Sequence, residues 1–177
     1  MGKDNKKLII PEIPSWDEFY LNLAEKYSHR AQCLRRQFAA LIVDSKHKLV
    51  SAGYNGSPRR VKSSVEKGFC YRIEKGIPAG ANYELCRSVH AEMNAIMRVG
   101  LEQCAGTTLY LYGWDVQEER ICGTLPHGNP PCLMCAKFIV QAEVKEVVMR
   151  LPDGGIRRMS LEELAGKLDR DDFSYPY

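Results

Sequence analysis

The sequence predicts an α/β protein in which helices cover the faces of a mixed β-sheet. Short apolar runs typical of strands alternate with segments of helical periodicity. After a first helix, the predicted order is two strands, a helix, a strand, a helix and a strand. A chain of 177 residues with 45% hydrophobic residues has the size of one domain and can bury a core of its own.

The first predicted elements are a helix and a hairpin. Residues 15–31 are predicted as a helix, because Ser15 and Glu18 have capping-box spacing and apolar side chains then recur at helical intervals. Residues 38–44 form a nearly continuous apolar run, which is typical of a buried strand. Residues 49–54 follow after a short turn, so the two strands are predicted to pair in an antiparallel hairpin.

Two irregular segments interrupt the rest of the chain. Residues 55–88 are rich in Gly, Pro, Lys, Arg and Cys, and a loop of this length inside a domain is functional or needs its own organising element. Residues 113–130 form the second segment. Helices are predicted over 91–99 and 132–142 and from residue 160, and strands over 107–112 and 146–150.

Domain boundaries follow from these elements. We expect a flexible leader over residues 1–14, a single domain over 15–168 and a C-terminal tail over 169–177. There is no internal repeat and no low-complexity tract.

Charge and cysteine content narrow the class of function. The chain has 25 basic and 22 acidic residues, and this net charge of +3 makes nucleic acid an unlikely partner but suits a small anionic substrate. No apolar stretch is long enough to span a bilayer, and the N-terminus lacks the apolar segment of a signal peptide. We therefore expect a cytoplasmic protein whose seven cysteines are reduced, and clustered reduced cysteines suggest metal binding.

Two motifs carry the predicted chemistry: His-Ala-Glu at residues 90–92 and Pro-Cys-Leu-Met-Cys at residues 131–135. His90, Cys132 and Cys135 can supply three zinc ligands, and three ligands with one open position make a catalytic zinc site. The two cysteines are three residues apart and share a face at a predicted helix start, where thiolates are favoured. His90 also precedes a predicted helix, so we expect two helix N-termini to meet at the metal.

Glu92 is the candidate catalytic residue. A carboxylate beside a metal site can take a proton from water and, in a deaminase, pass it to the ring nitrogen and then to the leaving amine. The two motifs together match the signature of zinc nucleobase deaminases. A redox pair or half of a four-cysteine structural site are the alternatives, but the chain has no second Cys-x-x-Cys.

These motifs and several longer stretches resemble the deoxycytidylate (dCMP) deaminase family of the cytidine deaminase superfamily. The similarity runs from about residue 15 to residue 150, in stretches at 15–19, 36–44, 53–58, 89–96, 108–110 and 131–137. The resemblance implies a three-layer α/β/α sandwich around a central mixed sheet of about five strands. It also implies zinc-dependent hydrolytic deamination of dCMP to dUMP with release of ammonia.

The resemblance further implies residue roles and partners. Asn55, in the turn sequence Asn-Gly-Ser-Pro, would contact the base and sugar, and Gln37 would line the pocket. The backbone N–H of Ala91 would meet the cytosine O2, and the carbonyl of Pro131 would accept from the exocyclic amine. Family members form homo-oligomers, and many are regulated by dCTP and dTTP, so Mg²⁺ is expected with a regulatory nucleotide.

Two departures from the family pattern bear on the substrate. Residues 114–129 intervene before Pro131, where the family has a short junction, and Phe38-Ala39 replaces the more usual Val-Gly. The alternatives are therefore deamination of another nucleoside, a nucleobase or a tRNA base, or a non-catalytic zinc protein that senses nucleotides. The presence of Glu92 disfavours the sensor.

A second, structural zinc is expected from Cys33, Cys70 and Cys86, because some relatives bind zinc near these positions. The usual fourth position is Ser64 here, and the possible substitutes are His29, Cys122 and His127. Buried thiols in a core are the alternative. Five arginines flank the candidate pocket segments and are candidates for binding phosphate: Arg35, Arg36, Arg59, Arg60 and Arg87.

Overall fold

The computed structural model describes residues 9–78, 81–122 and 131–169. Its helices are α1 (Trp16–Ser28), α2 (Ser64–Lys67), α3 (Tyr71–Glu74), α4 (Ala91–Val99), α5 (Leu133–Gln141) and α6 (Leu161–Leu168). Its strands are β1 (Arg36–Val43), β2 (Leu49–Tyr54), β3 (Thr108–Asp115), β4 (Arg120–Ile121), β5 (Glu146–Arg150) and β6 (Ile156–Ser160). Most of the predicted leader and tail lies outside the described residues, and none of the described helices is long and apolar enough to cross a membrane.

The strands form one mixed sheet of the order β2-β1-β3-β5-β6, with β4 paired to the end of β3. β3 and β5 run parallel, and every other pair is antiparallel. The parallel pair follows from the helical crossover α5 between β3 and β5, since parallel neighbours cannot be joined by a tight turn. The mixed sheet predicted from the order of elements is confirmed.

Both faces of the sheet are buried against helices. Along β1, Ala39, Leu41 and Val43 join the core beneath α1, whereas Ala40 and Ile42 join the core beneath α4, α5 and α6. β3 and β5 alternate in the same way. The predicted three-layer α/β/α sandwich is therefore confirmed, with six strands where about five were expected.

Glycine at residue 53 lets α4 lie directly on the sheet. A Cβ built at Gly53 would stand 2.3 Å from the carbonyl oxygen of Ala91 and 2.4 Å from the amide nitrogen of Ala95. The hydroxyl of Ser51 donates to the Ala95 carbonyl at 2.7 Å, and the amide of Asn94 donates to the Tyr54 carbonyl at 2.8 Å. These contacts fix the first turn of α4 at the end of β2.

The predicted starts of α1 and α6 are confirmed by their N-cap hydrogen bonds, but Glu18 in α1 has a different partner from the one predicted. Ser15 accepts from the backbone N–H of Glu18, and Ser160 does the same for Glu163 at α6. The Glu18 carboxylate does not complete the expected capping box and instead binds Arg150 of β5 at 2.7 Å. α1 also ends at Ser28, three residues before the predicted end.

Both segments predicted as irregular contain regular structure. Residues 55–88 include α2, α3 and a 3-10 turn at Tyr83–Leu85, and Gly56 pairs with Val89 in an isolated β-bridge. In the second segment, β3 continues to Asp115 and β4 folds back on it, so the irregular part predicted from residue 113 begins too early. Residues 123–130 lie outside the described part of the chain.

Strand β6 was not predicted. Its sequence carries two arginines, and Met159 is its one buried residue, so it lacks the apolar run that marks a central strand. The preceding Asp153-Gly154-Gly155 is a hairpin signal, and Gly154 adopts a left-handed φ of 84° in the turn. The turn residues therefore contain the signal that the strand itself lacks.

Candidate active site

Two helix N-termini bring three metal-ligating side chains together. His90 is the N-cap of α4, Cys132 is the N-cap of α5, and Cys135 lies in the first turn of α5. Neither N-cap side chain makes a capping hydrogen bond, so both are available for other contacts. The arrangement predicted from the two motifs is present.

The three ligand atoms lie close enough to share one ion. Nδ1 of His90 is 3.4 Å from Sγ of Cys132 and 3.3 Å from Sγ of Cys135, and all three atoms lie within 4.8 Å of one another. Zinc bonds of about 2.3 Å to sulfur and 2.1 Å to nitrogen place tetrahedral ligands about 3.5–3.8 Å apart. One nitrogen and two sulfurs fit zinc, and three ligands leave the fourth position free.

The neighbours of Cys132 favour its thiolate form. The pKa of Cys132 is lowered to about 4, because the Cys135 thiol donates to its sulfur and His90 lies alongside. The pKa of Cys135 is raised by that neighbouring sulfur and by burial. Burial alone would lower the pKa of His90, but the neighbouring Cys132 raises it overall. A cation would replace the shared protons, since metal binding requires deprotonated cysteines and a neutral histidine.

Glu92 is buried beside this cluster without belonging to it. The residue lies in the first turn of α4 and is 4% exposed. Burial raises the pKa of its carboxyl, and the nearby His90 opposes that shift. The sulfur of Cys135 lies beside this carboxyl. Buried carboxyls with a raised pKa are common among the groups that donate and accept protons in active sites.

Two of the predicted substrate residues adjoin the cluster in sequence, and a third, Asn55, follows the end of β2. Ala91 is the first residue of α4 and is buried, and its N–H belongs to the helix start, where amide groups have no intrahelical acceptor. Pro131 is buried and directly precedes Cys132. Asn55 accepts from the Phe38 N–H at 2.7 Å and donates to the Arg36 carbonyl at 2.9 Å, so its amide already joins β1 to the end of β2.

Gln37 lies on the face of the sheet opposite to the helices α4 and α5, which carry the cluster. It alternates with Phe38 along β1 and shares the face of Ala39 and Leu41, which is the face that α1 covers. The face that carries α4 and α5 instead receives Phe38, whose ring packs against the core there. This placement gives no support to the pocket-lining role predicted for Gln37.

The cysteines predicted for a second metal gather around one cavity. Cys33, Cys70, Cys86 and Ser64 line a space of about 300 Å³. Among the described residues, however, the close metal-ligating cluster is that of His90, Cys132 and Cys135. Of the suggested fourth ligands, His29 and Cys122 do not line this cavity, and His127 lies outside the described residues.

The candidate phosphate-binding arginines separate into two groups. The Arg36 guanidinium binds the Asp115 carboxylate at 3.1 Å, and Arg35 donates to the Ile77 carbonyl at 3.1 Å. Arg59 and Arg60 are exposed in the turn after Pro58, and Arg87 lines the cysteine cavity. The first two arginines therefore have internal partners that hold the sheet and the 55–88 segment.

Tyr83 and Arg72 contact the site but were not predicted from the sequence. The ring of Tyr83 packs edge-to-face on the imidazole of His90, and the Arg72 guanidinium lies over the Tyr83 ring. Both residues fall in the segment read as irregular, where no periodicity or motif distinguishes them from other aromatic and basic residues.

The chain matches known proteins along most of its length. Residues 14–151 match the family model described as "Cytidine and deoxycytidylate deaminase zinc-binding region". A deoxycytidylate deaminase of Schizosaccharomyces pombe is 32% identical over 135 residues, which are 76% of this chain and 37% of that protein. A deoxycytidylate deaminase of Mycobacterium phage D29 is 27% identical over 76% of this chain and 94% of its own length. The chain thus spans less than half of the fungal relative but nearly all of the phage one.

A solved structure shares the fold. The apo dCMP deaminase of the cyanophage S-TIM5 superposes with a TM-score of 0.52 at 26% identity, over 78% of this chain and 85% of that one. Since the family model covers well over half of the chain and includes all three residues of the metal cluster, the chain belongs to the cytidine and deoxycytidylate deaminase zinc-binding family.

Proposed function

We propose that this protein hydrolyses dCMP to dUMP and ammonia at a zinc site formed by His90, Cys132 and Cys135. The observation that carries the proposal is the cluster of these three ligands beside the buried carboxyl of Glu92. Relatives named deoxycytidylate deaminase support the choice of dCMP among the possible substrates.

The three ligands would hold one zinc ion at the ends of α4 and α5. When bound, zinc leaves a fourth position for water and lowers the pKa of that water from about 15.7 to about 7. The α4 and α5 N-termini add partial positive charge that favours the thiolate ligands.

Glu92 would move the protons of the reaction. Its carboxylate accepts a proton as the water oxygen attacks C4 of the cytosine, and it delivers a proton to the ring N3. In a second transfer, Glu92 moves the proton of the hydroxyl group now on C4 to the exocyclic amine; as the bond between C4 and this nitrogen breaks, the C4 carbonyl of dUMP forms and ammonia leaves. Burial raises the pKa of Glu92, which favours a carboxyl that can donate as well as accept a proton.

Backbone groups beside the metal would orient the base. Ala91 is the first residue of α4, so its N–H has no acceptor within the helix and is free to donate to the cytosine O2. The Pro131 carbonyl would accept from the exocyclic amine. Asn55 retains a second amide hydrogen and a second lone pair beyond its two backbone contacts, so it can also reach the sugar. We assign the pocket wall on β1 to Phe38 rather than Gln37.

A panel of substrates tests the activity. Zinc-loaded protein is incubated with dCMP, CMP, deoxycytidine, dCTP and guanine, and ammonia and deaminated product are quantified. We expect equal amounts of dUMP and ammonia from dCMP, and little turnover of deoxycytidine. Faster turnover of another compound would move the assignment to that substrate, and no turnover with zinc bound would favour a nucleotide sensor.

Loss of a ligand separates zinc dependence from folding. Cys132→Ser should release zinc and lose turnover. Cys104→Ser is the matched control, because Cys104 is a buried thiol that donates to the Gly100 carbonyl and lies outside the cluster. If Cys132→Ser retains both zinc and activity, the ligand assignment is wrong.

We also propose a structural zinc at Cys33, Cys70 and Cys86. Burial raises the pKa of the Cys33 thiol, and the backbone N–H groups of Arg35 and Arg36, which donate to its Sγ at 3.4 Å and 3.5 Å, oppose that shift and suit a sulfur that a metal would hold as thiolate. The buried Arg72 lines the same cavity, and its guanidinium would balance the charge of thiolates there. Two zinc atoms per chain in parent protein and one in Cys33→Ser would support the site, whereas one in the parent would contradict it.

We further propose that the protein forms a homo-oligomer, is regulated by nucleotides and works in the cytoplasm. A homo-oligomer is supported by exposed apolar side chains along the 55–88 segment, namely Val61, Val65, Tyr71, Ile73 and Leu85. Regulation by dCTP and dTTP, with Mg²⁺ on the nucleotide, rests on the family resemblance and is tested by adding each nucleotide to the dCMP assay. A reducing cytoplasm suits a protein that needs free thiols as metal ligands.

A further inference from the structure

We propose that Tyr83 is a positioning residue for His90. Its ring, anchored by Arg72, packs against the imidazole and fixes the orientation in which Nδ1 faces the two cysteines. The inference rests on the proposed zinc site but does not depend on which base is the substrate.

The contact between the two rings is specific. Their centroids are 5.0 Å apart and their planes meet at 89°, which is the favoured edge-to-face geometry of aromatic pairs. Nδ1 of His90 lies at similar distances from Cys132 and Cys135, so a rotation of the imidazole would move this nitrogen away from at least one sulfur. Tyr83 packs against the ring whose orientation decides whether the cluster forms.

Other restraints on the His90 side chain are missing within the described part of the chain. Metal-binding histidines are normally oriented by a hydrogen bond from their second ring nitrogen to a carboxylate, a backbone carbonyl or water. No described residue makes such a bond to Nε2 of His90, and the side chain makes no N-cap bond to α4. Apart from the two cysteines, the contact that the described residues provide to this imidazole is the packing of the Tyr83 ring.

Arg72 holds Tyr83 in turn. Its guanidinium carbon is 4.9 Å from the centroid of the Tyr83 ring, a cation–π distance. Arg72 is 6% exposed, and its Nη2 donates to the carbonyls of Pro78 at 2.7 Å and Ala81 at 2.5 Å. A guanidinium fixed by two carbonyls gives the Tyr83 ring a rigid partner.

The backbone on both sides of this contact is fixed as well. The Cys86 N–H donates to the Tyr83 carbonyl at 2.9 Å in the 3-10 turn. Gly56 and Val89 exchange two backbone hydrogen bonds of 3.2 Å and 2.9 Å, which hold the residue before His90 against the end of β2. The 55–88 segment thereby connects a buried arginine to a metal ligand through one aromatic ring.

Three variants test the role of the ring. Tyr83→Leu removes it, Tyr83→Phe keeps it without the hydroxyl, and Arg72→Lys removes the planar anchor but keeps the charge. Phe69→Leu is the control, because it removes an aromatic ring from the same segment at a position that contacts Lys67 rather than His90. Each variant is also made in the Cys33→Ser background, which removes a ligand of the second proposed zinc, so that zinc release to a colorimetric chelator reports on the site of His90, Cys132 and Cys135. Thermal unfolding, and kcat and KM for dCMP, are measured for each.

We expect Tyr83→Leu to release zinc about 10-fold faster and to lose kcat by a similar factor with little change in KM, as is usual when a group supporting a metal ligand is removed. Tyr83→Phe and Phe69→Leu should stay within about twofold of the parent, and Arg72→Lys should fall between. Should Tyr83→Leu fail to fold, faster zinc release from Arg72→Lys still supports the proposal and unchanged release overturns it. Parent-like zinc release from Tyr83→Leu, or an equal defect in Tyr83→Phe, also overturns it. A parent that binds zinc without deaminating dCMP would instead contradict the proposed function.

Discussion

Gly53 lies directly beneath the carbonyl oxygen of Ala91, so close that an added Cβ would stand 2.3 Å from that oxygen. The contact joins the end of β2 to the helix start that carries His90, Ala91 and Glu92. The added Cβ would also stand 2.4 Å from the amide nitrogen of Ala95. Because both of these atoms belong to the backbone of α4, no side-chain rotation can relieve the overlap. The proposed metal ligand, the proposed proton carrier and the proposed O2 contact thus depend on the absence of a side chain at residue 53.

Gly53→Ala should lower the free energy of unfolding by about 2–3 kcal/mol, because the helix must move away from the sheet. The same shift should displace His90 and reduce zinc retention. Chemical unfolding and zinc analysis check this. Gly166→Ala in α6 is the matched control, since its Cβ would meet nothing within 4 Å and alanine favours a helix by about 0.5–1 kcal/mol. Equal stability of the two variants would contradict the close-approach argument.

Asp115→Ala should destabilise the protein by about 3 kcal/mol. Arg36 and Asp115 have side chains 19% and 10% exposed, and removing one partner of a largely buried pair leaves the other charge uncompensated. The variant also removes the oxygen that accepts from the N–H groups of Gln117 and Glu118. Urea unfolding measures the loss.

The exposed pair of Arg120 and Glu118 provides the comparison for that result. Glu118→Ala should change stability by no more than about 0.5 kcal/mol, because such surface pairs contribute little. A similar loss in both variants would show that burial of the Arg36–Asp115 pair does not matter.

The sequence predicted the central sheet and the metal cluster because their signals are local. Cys132 and Cys135 share a helix turn, and the apolar runs of β1, β3 and β5 belong to strands buried on both faces. Strand β6 escaped prediction because an edge strand needs few apolar residues. Its Arg158 binds Glu146 and Asp17, and such partners cannot be read from the strand itself.

The contacts of the 55–88 segment were beyond sequence reasoning for a different reason. Tyr83 approaches His90 through a turn stabilised by Arg72, which reaches across nine residues to the Ala81 carbonyl. No periodicity records such a contact. The position of Gln37, in contrast, follows from a simple rule. Side chains alternate between the two faces of a strand, so the register of β1 places Gln37 on the face that α1 covers.

Glu92→Gln should reduce kcat for dCMP by about 10²–10⁴-fold while zinc content stays unchanged. Glutamine keeps the size of the side chain but cannot accept a proton, and Glu92 is not among the three ligands. Steady-state kinetics and elemental analysis of the same preparation check both statements. Glu102→Gln, at an exposed position away from the cluster, should behave like the parent. An active Glu92→Gln enzyme would mean that another group carries the proton.

Tyr112→Phe should make the protein less sensitive to alkali. Burial raises the pKa of Tyr112 to about 12, and the nearby Glu25 adds to the shift. A group whose pKa is raised on folding contributes stability below its unfolded pKa of about 10, and this contribution is lost as the pH rises towards 12. Phenylalanine removes the ionisable hydroxyl, so the loss of unfolding free energy between about pH 9 and pH 11.5 should be smaller by about 1–2 kcal/mol.

Some loss remains in the Tyr112→Phe variant, because burial also raises the pKa of Cys122 to about 12. Urea unfolding across this range measures the effect, and Tyr71→Phe, at an exposed position, should retain the slope of the parent. Identical slopes for Tyr112→Phe and the parent would mean that the phenol of Tyr112 ionises as easily in the folded protein as in the unfolded chain.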